Sequence, residues 1–234
     1  MKILHDKTAI VTGASSGIGQ AIVEKLANEG INVALVARRL DRLQQIANDI
    51  NGQENSGKAL PIQADVRNLL AMEEVCKRVI NKFGAVDVYV NNAGVMKSAA
   101  LTAGEVEQWN QMIDVNIKGV LYGIHSVLSH MLDRSTGHII NVASVSGFEV
   151  SKRSAVYSAT KYAVRALSMG LEKELARTGV RVTNISPGMV ETDLTSRSKI
   201  NRKILQPEDI AKAVLFAISQ PDYVNVNEIT VRPV

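Results

Sequence analysis

The stretch "TAIVTGASSGIGQAIVEKLANEG", residues 8–30, constrains the fold more than any other part of the chain. Five consecutive apolar or β-branched residues, 8–12, predict a strand buried on both faces, which is typical of a parallel sheet. A glycine-rich loop follows, and apolar residues then recur at the spacing of one helix face, at Ala21, Ile22 and Leu26. A buried strand that turns through glycines directly into a helix is typical of a doubly wound α/β fold.

Short apolar runs alternate with helical patterns along the rest of the chain. The predicted strands are 8–12, 32–37, 59–63, 86–90, 138–143, 180–186 and 227–233. The predicted helices are 17–30, 40–50, 68–83, 105–132, 156–177 and 207–219. With right-handed crossovers, this order predicts a single-domain Rossmann fold over residues 1–234, with about seven parallel strands and helices on both faces. Its ligand should lie at the carboxyl ends of the strands.

Composition limits the class of protein. Hydrophobic residues make up 46% of the chain, which is enough for a large core, and the net charge of +4 is dispersed among 23 acidic residues. This dispersed charge does not indicate a nucleic-acid site. A membrane span is not indicated either, because no apolar run approaches the roughly 20 residues that a span needs. The single cysteine, Cys76, cannot form an internal disulfide. Its apolar neighbours predict a core position, and its isolation predicts a cytoplasmic location.

The loop "TGASSGIG", residues 12–19, has glycines at 13, 17 and 19 and lacks the G-K-[ST] of a triphosphate loop. Free backbone N–H groups and the helix dipole attract an anion at such a point. The alternative is that the second and third glycines only allow the strand and helix to pack closely. Three glycines in one loop favour the anion site.

The second predicted strand ends in "ALVARRLDRL". In a dinucleotide fold, an acid at this point would bind a free ribose 2′-hydroxyl, whereas arginine would bind a 2′-phosphate. Ala37 stands where the acid is expected, and Arg38 and Arg39 follow it. We therefore predict NADP(H), in preference to NAD(H), as the cofactor. The alternative is that both arginines form a solvated turn.

Three further motifs follow later strands: "NNAG" at 91–94, Ser144 and "YSATK" at 157–161. Together with the glycine loop, they resemble the short-chain dehydrogenase/reductase family, and the resemblance covers nearly the whole chain. Y-x-x-x-K alone is a weak pattern, but the ordered set at predicted strand ends is specific. The resemblance implies an oxidoreductase that exchanges a hydride between a nicotinamide and a small carbonyl or secondary alcohol.

The catalytic residues expected from this set are Asn116, Ser144, Tyr157 and Lys161. Tyr157 and Lys161 share a helix face, so a nearby ammonium should lower the pKa of the phenol and suit it to general acid or base catalysis. Ser144 should donate a hydrogen bond to the substrate oxygen. The resemblance further implies that Lys161 holds the nicotinamide ribose and that Asn116 anchors a water relay to Lys161. No metal ligand set is expected.

The resemblance also implies a set of cofactor contacts. They are Gly13, Ser15, Ser16, Gly17, Ile18, Gly19, Arg38, Arg39, Asp65, Val66, Asn91, Asn92, Ala93, Gly94, Tyr157, Lys161, Pro187, Gly188, Val190 and Thr192. One residue departs from the pattern, because many NADP-preferring relatives carry a basic residue at the position of Ser16. The 2′-phosphate should then rest on Arg38 and Arg39, with a hydroxyl from Ser15.

Residues 189–206 are expected to form a substrate lid. Its basic residues are Arg197, Lys199, Arg202 and Lys203. They suit a small anionic substrate such as a 3-hydroxy or 3-oxo acid, although they are also consistent with a solvated helical face. The chain resembles the bacterial branch that acts on 3-hydroxy acids, serine or related small alcohols.

The helices predicted at 105–132 and 156–177 are apolar on more than one face, which indicates a homodimer or homotetramer built through them. Two other functions stay open. A 3-oxoacyl-carrier-protein reductase would need a basic docking surface, for which Arg134, Lys173 and Arg177 are candidates. A non-catalytic NADP(H) sensor would have no use for the tyrosine and lysine pair.

Overall fold

The computed structural model describes residues 4–97, 100–192 and 203–234. These residues form a seven-stranded parallel sheet in the order β3-β2-β1-β4-β5-β6-β7. The strands are β1 (Thr8–Thr12), β2 (Asn32–Ala37), β3 (Ala59–Gln63), β4 (Val88–Asn91), β5 (Gly137–Val142), β6 (Val180–Pro187) and β7 (Glu228–Val231). The predicted parallel sheet is confirmed.

Helices cover both faces of the sheet. They are α1 (Gly17–Asn28), α2 (Leu40–Asn51), α3 (Leu69–Phe83), α4 (Val106–Ile113), α5 (Gly119–Asp133), α6 (Ala155–Glu174) and α7 (Pro207–Ile218). One apolar layer lies between the sheet and α1, α2 and α7, and a second lies between the sheet and α3, α5 and α6. Side chains alternate along each strand, so Ala9 and Val11 of β1 enter the first layer and Ile10 enters the second.

The helical region predicted over 105–132 is present, but it is not one continuous α-helix. The structure has α4, then a π-helical turn over Asp114–Lys118, then α5. Asn116 lies in this turn and is buried, with its side chain bonded to other parts of the chain. Wider turns of this kind often occur at functional sites. The periodicity of the sequence does not reveal the turn, because its apolar residues continue on both sides of it.

Two strands also begin or end two residues from a predicted boundary. The fourth strand begins at Val88 and not at residue 86, because the N–H of Val86 bonds to the His130 ring and not to a neighbouring strand. The last strand, predicted over 227–233, is limited to Glu228–Val231. The prediction for Cys76 is confirmed: it is buried in α3, and burial raises its thiol pKa to about 11. A thiol held in this state is not a nucleophile at neutral pH.

The strand order reverses at β1, which pairs with β2 on one side and β4 on the other. The helices that follow β1 and β4 therefore leave the sheet on opposite faces, and a crevice opens between the carboxyl ends of the two strands. Ligands of open α/β sheets bind in this crevice. Thr12 ends β1 and Asn91 ends β4, so the glycine loop and the Asn-Asn-Ala-Gly segment meet there.

Candidate active site

A pocket of about 410 Å³ occupies this crevice. It brings together every residue of the predicted cofactor set except Asn91, which is buried beneath it: Gly13, Ser15, Ser16, Gly17, Ile18, Gly19, Arg38, Arg39, Asp65, Val66, Asn92, Ala93, Gly94, Tyr157, Lys161, Pro187, Gly188, Val190 and Thr192. Ser144 also lines it. Sequence reasoning missed Ala64, Val95, Met96, Val115, Val142 and Ala143, which complete the wall. They carry no polar side chain that a pattern could single out.

The glycines of the first loop serve different purposes. Gly13 has a φ of 68°, a conformation that favours glycine, so the chain can turn sharply at the end of β1. Gly19 is a packing glycine, because a Cβ there would collide with the carbonyl oxygen of Gly13. For Gly19, the alternative stated above therefore applies: this glycine allows the strand and the helix to pack closely. The first turn of α1 contains no acidic residue, so the field of its dipole is free to attract an anion.

Arg39 connects the turn after β2 to the glycine loop. Its guanidinium donates to the hydroxyl of Ser15 at 2.9 Å and to the hydroxyl of Ser16 at 2.7 Å. The Arg38 side chain is exposed at the rim of the pocket. Arg39 is therefore part of the pocket wall and not only a solvated turn, and it places a positive charge beside Ser16, where the family pattern often has a basic residue.

Thr12 organises the floor of the pocket, and sequence reasoning missed it. Its hydroxyl donates to the carbonyl oxygen of Val90 at 3.2 Å and accepts from the N–H groups of Asn92 and Ala93 at 3.0 and 3.1 Å. The Asn92 side chain donates in turn to the backbone oxygen of Thr12 at 2.8 Å. Beneath them, Asn91 is buried and donates to a side chain of β5, so it supports the sheet and does not face the pocket.

Ser144, Tyr157 and Lys161 converge on one side of the pocket. Ser144 follows β5, and its hydroxyl accepts from the N–H of Ser146 at 3.1 Å, which fixes the turn at this point. The Ser144 side chain also lies close enough to the Tyr157 hydroxyl to lower the pKa of the phenol. Lys161 lies one helical turn beyond Tyr157, with its Nζ 5.9 Å from the centre of the tyrosine ring. The three side chains surround a space in which a carbonyl oxygen could accept a proton.

The expected direction of the pKa of Tyr157 is wrong. Burial raises this pKa, and the nearby Ser144 side chain, which lowers it, has the smaller effect. Lys161 is buried as well, and burial lowers its pKa to about 8. Its Nζ donates to the backbone oxygen of Val142 at 2.9 Å. Pairwise reasoning from the sequence included the charge of Lys161 but omitted the burial of both groups.

Asn116 does not line the pocket but supports it from behind. Its amide oxygen accepts from the N–H of Val95 at 2.8 Å, and its amide nitrogen donates to the oxygen of Val95 at 2.9 Å. The same nitrogen donates at 3.0 Å to the hydroxyl of Thr160, which donates to the backbone oxygen of Tyr157 at 2.7 Å. Asn116 thereby connects the segment after β4 to α6. Thr160, like Thr12, is a hydrogen-bonding residue that sequence reasoning missed.

Asp65, one of the cofactor contacts that the resemblance implies, is paired with Arg67 through bonds of 2.6 to 3.1 Å. This hydrogen bonding lowers the pKa of the carboxyl. The expected lid, 189–206, is described only at its two ends, and Arg197, Lys199 and Arg202 lie outside the described residues. At its base, Glu191 donates its N–H to the backbone oxygen of Leu205 at 2.8 Å, so the two ends are joined.

Among residues 4–97, 100–192 and 203–234, no three His, Cys, Asp or Glu side chains are grouped closely enough to hold a metal ion. Within the same ranges, no helix is long and apolar enough to cross a bilayer.

Comparison with known proteins identifies the family. The sequence model for the short chain dehydrogenases matches residues 7–203. An oxidoreductase of Staphylococcus saprophyticus, named as uncharacterized, is 53% identical over 232 residues, which is 99% of both chains. The chain belongs to the short-chain dehydrogenase family. As a short-chain dehydrogenase, it is an oxidoreductase.

Solved structures of this family superpose closely on the short-chain dehydrogenase described here. A serine dehydrogenase in its closed form, complexed with NADP+, has a TM-score of 0.90 and 34% identity, and the match covers 97% of this chain and 94% of that one. An alcohol dehydrogenase of the archaeon Thermococcus sibiricus, complexed with 5-hydroxy-NADP, has a TM-score of 0.89 and 34% identity over 97% and 96% of the two chains.

Proposed function

We propose that this short-chain dehydrogenase transfers a hydride between NADP(H) and a small carbonyl or secondary alcohol, with Tyr157 as the general acid and base. The observation that carries the proposal is the convergence of Ser144, Tyr157 and Lys161 in a pocket that also contains the glycine loop. When bound, the nicotinamide supplies the hydride chemistry. The protein must then bind the substrate oxygen and exchange its proton.

Each of the three side chains has a distinct task. The hydroxyl of Ser144 donates a hydrogen bond to the substrate oxygen and orients it toward Tyr157. Tyr157 gives its proton to that oxygen during reduction and takes one from the alcohol during oxidation. Lys161, whose pKa is about 8, is mostly an ammonium at pH 7, and its charge 5.9 Å from the Tyr157 ring would oppose the rise that burial causes in the pKa of the phenol. Asn116 holds α6 in place through Thr160 and would anchor the water relay to Lys161.

NADP(H) is the cofactor that the pocket fits. Ala37 leaves no carboxylate that would repel a 2′-phosphate, and Arg38 and Arg39 supply two positive charges at the same edge. The hydroxyls of Ser15 and Ser16 lie next to Arg39. The solved relatives described above are complexes with NADP+ and with an NADP derivative, which supports the same choice.

The substrate that we propose is a small 3-hydroxy acid, serine or a related alcohol. A relative that matches the chain over nearly its whole length is a serine dehydrogenase. Lys203, at the described end of the lid, is exposed and can meet a carboxylate. The test is a panel of 3-hydroxy acids with NADP+, followed at the absorbance band of the reduced nicotinamide. Oxidation of a panel member supports the proposal, and failure of the whole panel contradicts it.

We also propose that the protein acts in the cytoplasm as a homodimer or homotetramer. Val106, Leu121 and Leu132 are exposed on α4 and α5, and Tyr162 and Met169 are exposed on α6. A second copy packed on these helices would remove this apolar surface from water. Light scattering should give at least twice the monomer mass of 25.3 kDa, and a monomer would contradict the proposal.

A further inference from the structure

The turn that carries Ser144 is held from outside by charged side chains that belong to no catalytic set. The guanidinium of Arg165, on α6, lies 3.8 Å from the centre of the Phe148 ring, four residues after Ser144. A guanidinium plane stacks well on an aromatic ring, and its position then fixes the position of the ring. The intervening segment is a tight turn, because the N–H of Phe148 donates to the oxygen of Val145 at 2.9 Å.

Arg165 is itself fixed by β7. Its Nε and one terminal nitrogen donate to the two carboxylate oxygens of Glu228 at 2.8 and 3.0 Å. A bidentate pair of this kind sets the orientation of the guanidinium plane. Asn184 and Ser186 of β6 donate to the same carboxylate at 3.1 and 3.5 Å. The stack on Phe148 is therefore attached to the last two strands of the sheet.

The turn also packs directly on the catalytic helix. A Cβ on Gly147 would lie 3.0 Å from the backbone oxygen of Lys161, which leaves no room for the turn to shift inward. Glu149, next along, accepts from Arg232 at 2.7 Å, just beyond β7. The segment from Ser144 to Glu149 thus lies between α6 on one side and the end of the chain on the other.

Partly exposed ion pairs contribute little to stability, typically about 0 to 1 kcal/mol, and the Arg165 and Glu228 side chains retain 28% and 30% of their exposure. Stabilisation of the fold therefore does not account for this set of contacts. Their geometry does, because the ion pair of Arg165 and Glu228 fixes the ring of Phe148, which ends the turn that begins at Ser144. We propose that Arg165, Phe148 and Glu228 are positioning residues that hold the Ser144 hydroxyl against Tyr157. This inference rests on the proposed function.

The test compares Phe148→Leu, which removes the stacked ring, and Glu228→Gln, which releases the guanidinium, with two controls. Phe148→Tyr keeps the ring, and Glu29→Gln removes the charge from a surface ion pair of 2.9 Å with Lys25 at the end of α1. The first two variants should lower kcat about tenfold, because small displacements of catalytic groups are costly, and leave the NADPH dissociation constant unchanged. Both controls should keep the wild-type kcat.

A double-mutant cycle separates positioning from general structural damage. If Phe148 acts through Ser144, Phe148→Leu should cost almost nothing in kcat once Ser144→Ala is present. Full additivity of the two losses would overturn the proposal. So would a kcat for Phe148→Leu equal to that of Glu29→Gln.

A second readout needs no turnover. The tyrosinate absorbance of each variant is measured as a function of pH, and the same curve for its Tyr157→Phe counterpart is subtracted. The midpoint of the difference curve gives the pKa of Tyr157. Ser144 lowers this pKa, so Phe148→Leu and Glu228→Gln should raise it as Ser144→Ala does, and the controls should not. An unchanged pKa of Tyr157 in both Phe148→Leu and Glu228→Gln would overturn the positioning role. A wild type that reduces no carbonyl would overturn only the proposed function, because this titration still tests the positioning.

Discussion

The guanidinium of Arg39 donates a hydrogen bond of 2.7 Å to the hydroxyl of Ser16. A residue at the end of the second strand thereby delivers its charge to a position in the first loop. The family pattern often has a basic residue at that position, and the sequence has serine. The glycine loop and the turn after β2 therefore form one wall of the pocket, although 23 residues separate Arg39 from Ser16.

Arg39→Met should weaken binding of the 2′-phosphate. A charge-assisted hydrogen bond contributes about 1.5 to 3 kcal/mol, so we expect 2′,5′-ADP to bind roughly tenfold or more weakly, with little change for ADP. Isothermal titration of both nucleotides measures this directly. Adding Ser16→Arg to Arg39→Met should restore the preference for 2′,5′-ADP. Equal losses for the two nucleotides would show that Arg39 supports the loop and does not read the phosphate.

Gly19→Ala and Gly170→Ala should have opposite effects on the free energy of unfolding. A Cβ on Gly19 would collide with the Gly13 carbonyl, and the glycine loop must shift to make room for it, so alanine should lower the free energy of unfolding. Gly170 lies in α6 with nothing within 4 Å of its Cβ position, so alanine should stabilise the helix by about 0.5 to 1 kcal/mol. Urea unfolding measures both changes. A stable Gly19→Ala variant that binds NADPH normally would contradict the packing role.

Thr160→Val should lower both stability and turnover. The change leaves an amide hydrogen of the buried Asn116 without its acceptor, at a cost of about 1 to 3 kcal/mol, and frees α6 from the segment after β4. Thr160→Ser retains the hydroxyl and is the matched control. Thermal unfolding and kcat should both separate the two variants. Equal behaviour of valine and serine would mean that the methyl group, and not the hydroxyl, is what matters.

Acid should destabilise the fold through His138. Its Nε2 lies 2.7 Å from the hydroxyl of Thr183, its Nδ1 is buried without a hydrogen-bond partner among the described residues, and burial lowers its pKa well below the usual value. Because the unfolded chain takes up a proton near pH 6.5 and the folded one does not, stability should be retained above that pH and fall below it.

The pH effect can be measured as the difference between urea unfolding at pH 7.5 and at pH 5.5. The wild type should lose about 1 kcal/mol more than His138→Gln over this interval. His130, whose pKa is also lowered by burial, is present in both proteins and serves as an internal reference. Parallel pH profiles for the two proteins would remove His138 as the cause.

The sequence predicted those parts of the site that depend on local order along the chain. Ser144 directly follows a strand, and Tyr157 and Lys161 lie one turn apart on a helix, so the order of the elements and the resemblance to the family together predicted that they share one site. Thr12 and Thr160 were not predicted, because their roles depend on partners 80 and 44 residues away. The sequence around a threonine in a strand or helix does not indicate which distant residue its hydroxyl bonds to.

The same limit explains the π turn that was not predicted and the pKa that was predicted in the wrong direction. The amide of Asn116, in the π turn, bonds to Val95 and Thr160, and neither contact can be read from the apolar spacing around it. The pKa of Tyr157 was predicted in the wrong direction because the charge of Lys161 follows from sequence spacing, whereas the burial that opposes it follows from the packed fold.

The central claim is that Tyr157 exchanges a proton with the substrate while the hydride moves to or from NADP(H). The most direct test measures NADPH oxidation with a mixed carbonyl panel for the wild type and for Tyr157→Phe, together with the NADPH dissociation constant of each. We expect wild-type turnover, a loss of at least about a hundredfold in the variant, and equal NADPH binding. A variant that turns over at the wild-type rate, or a wild type that binds NADPH and reduces nothing, would contradict the account.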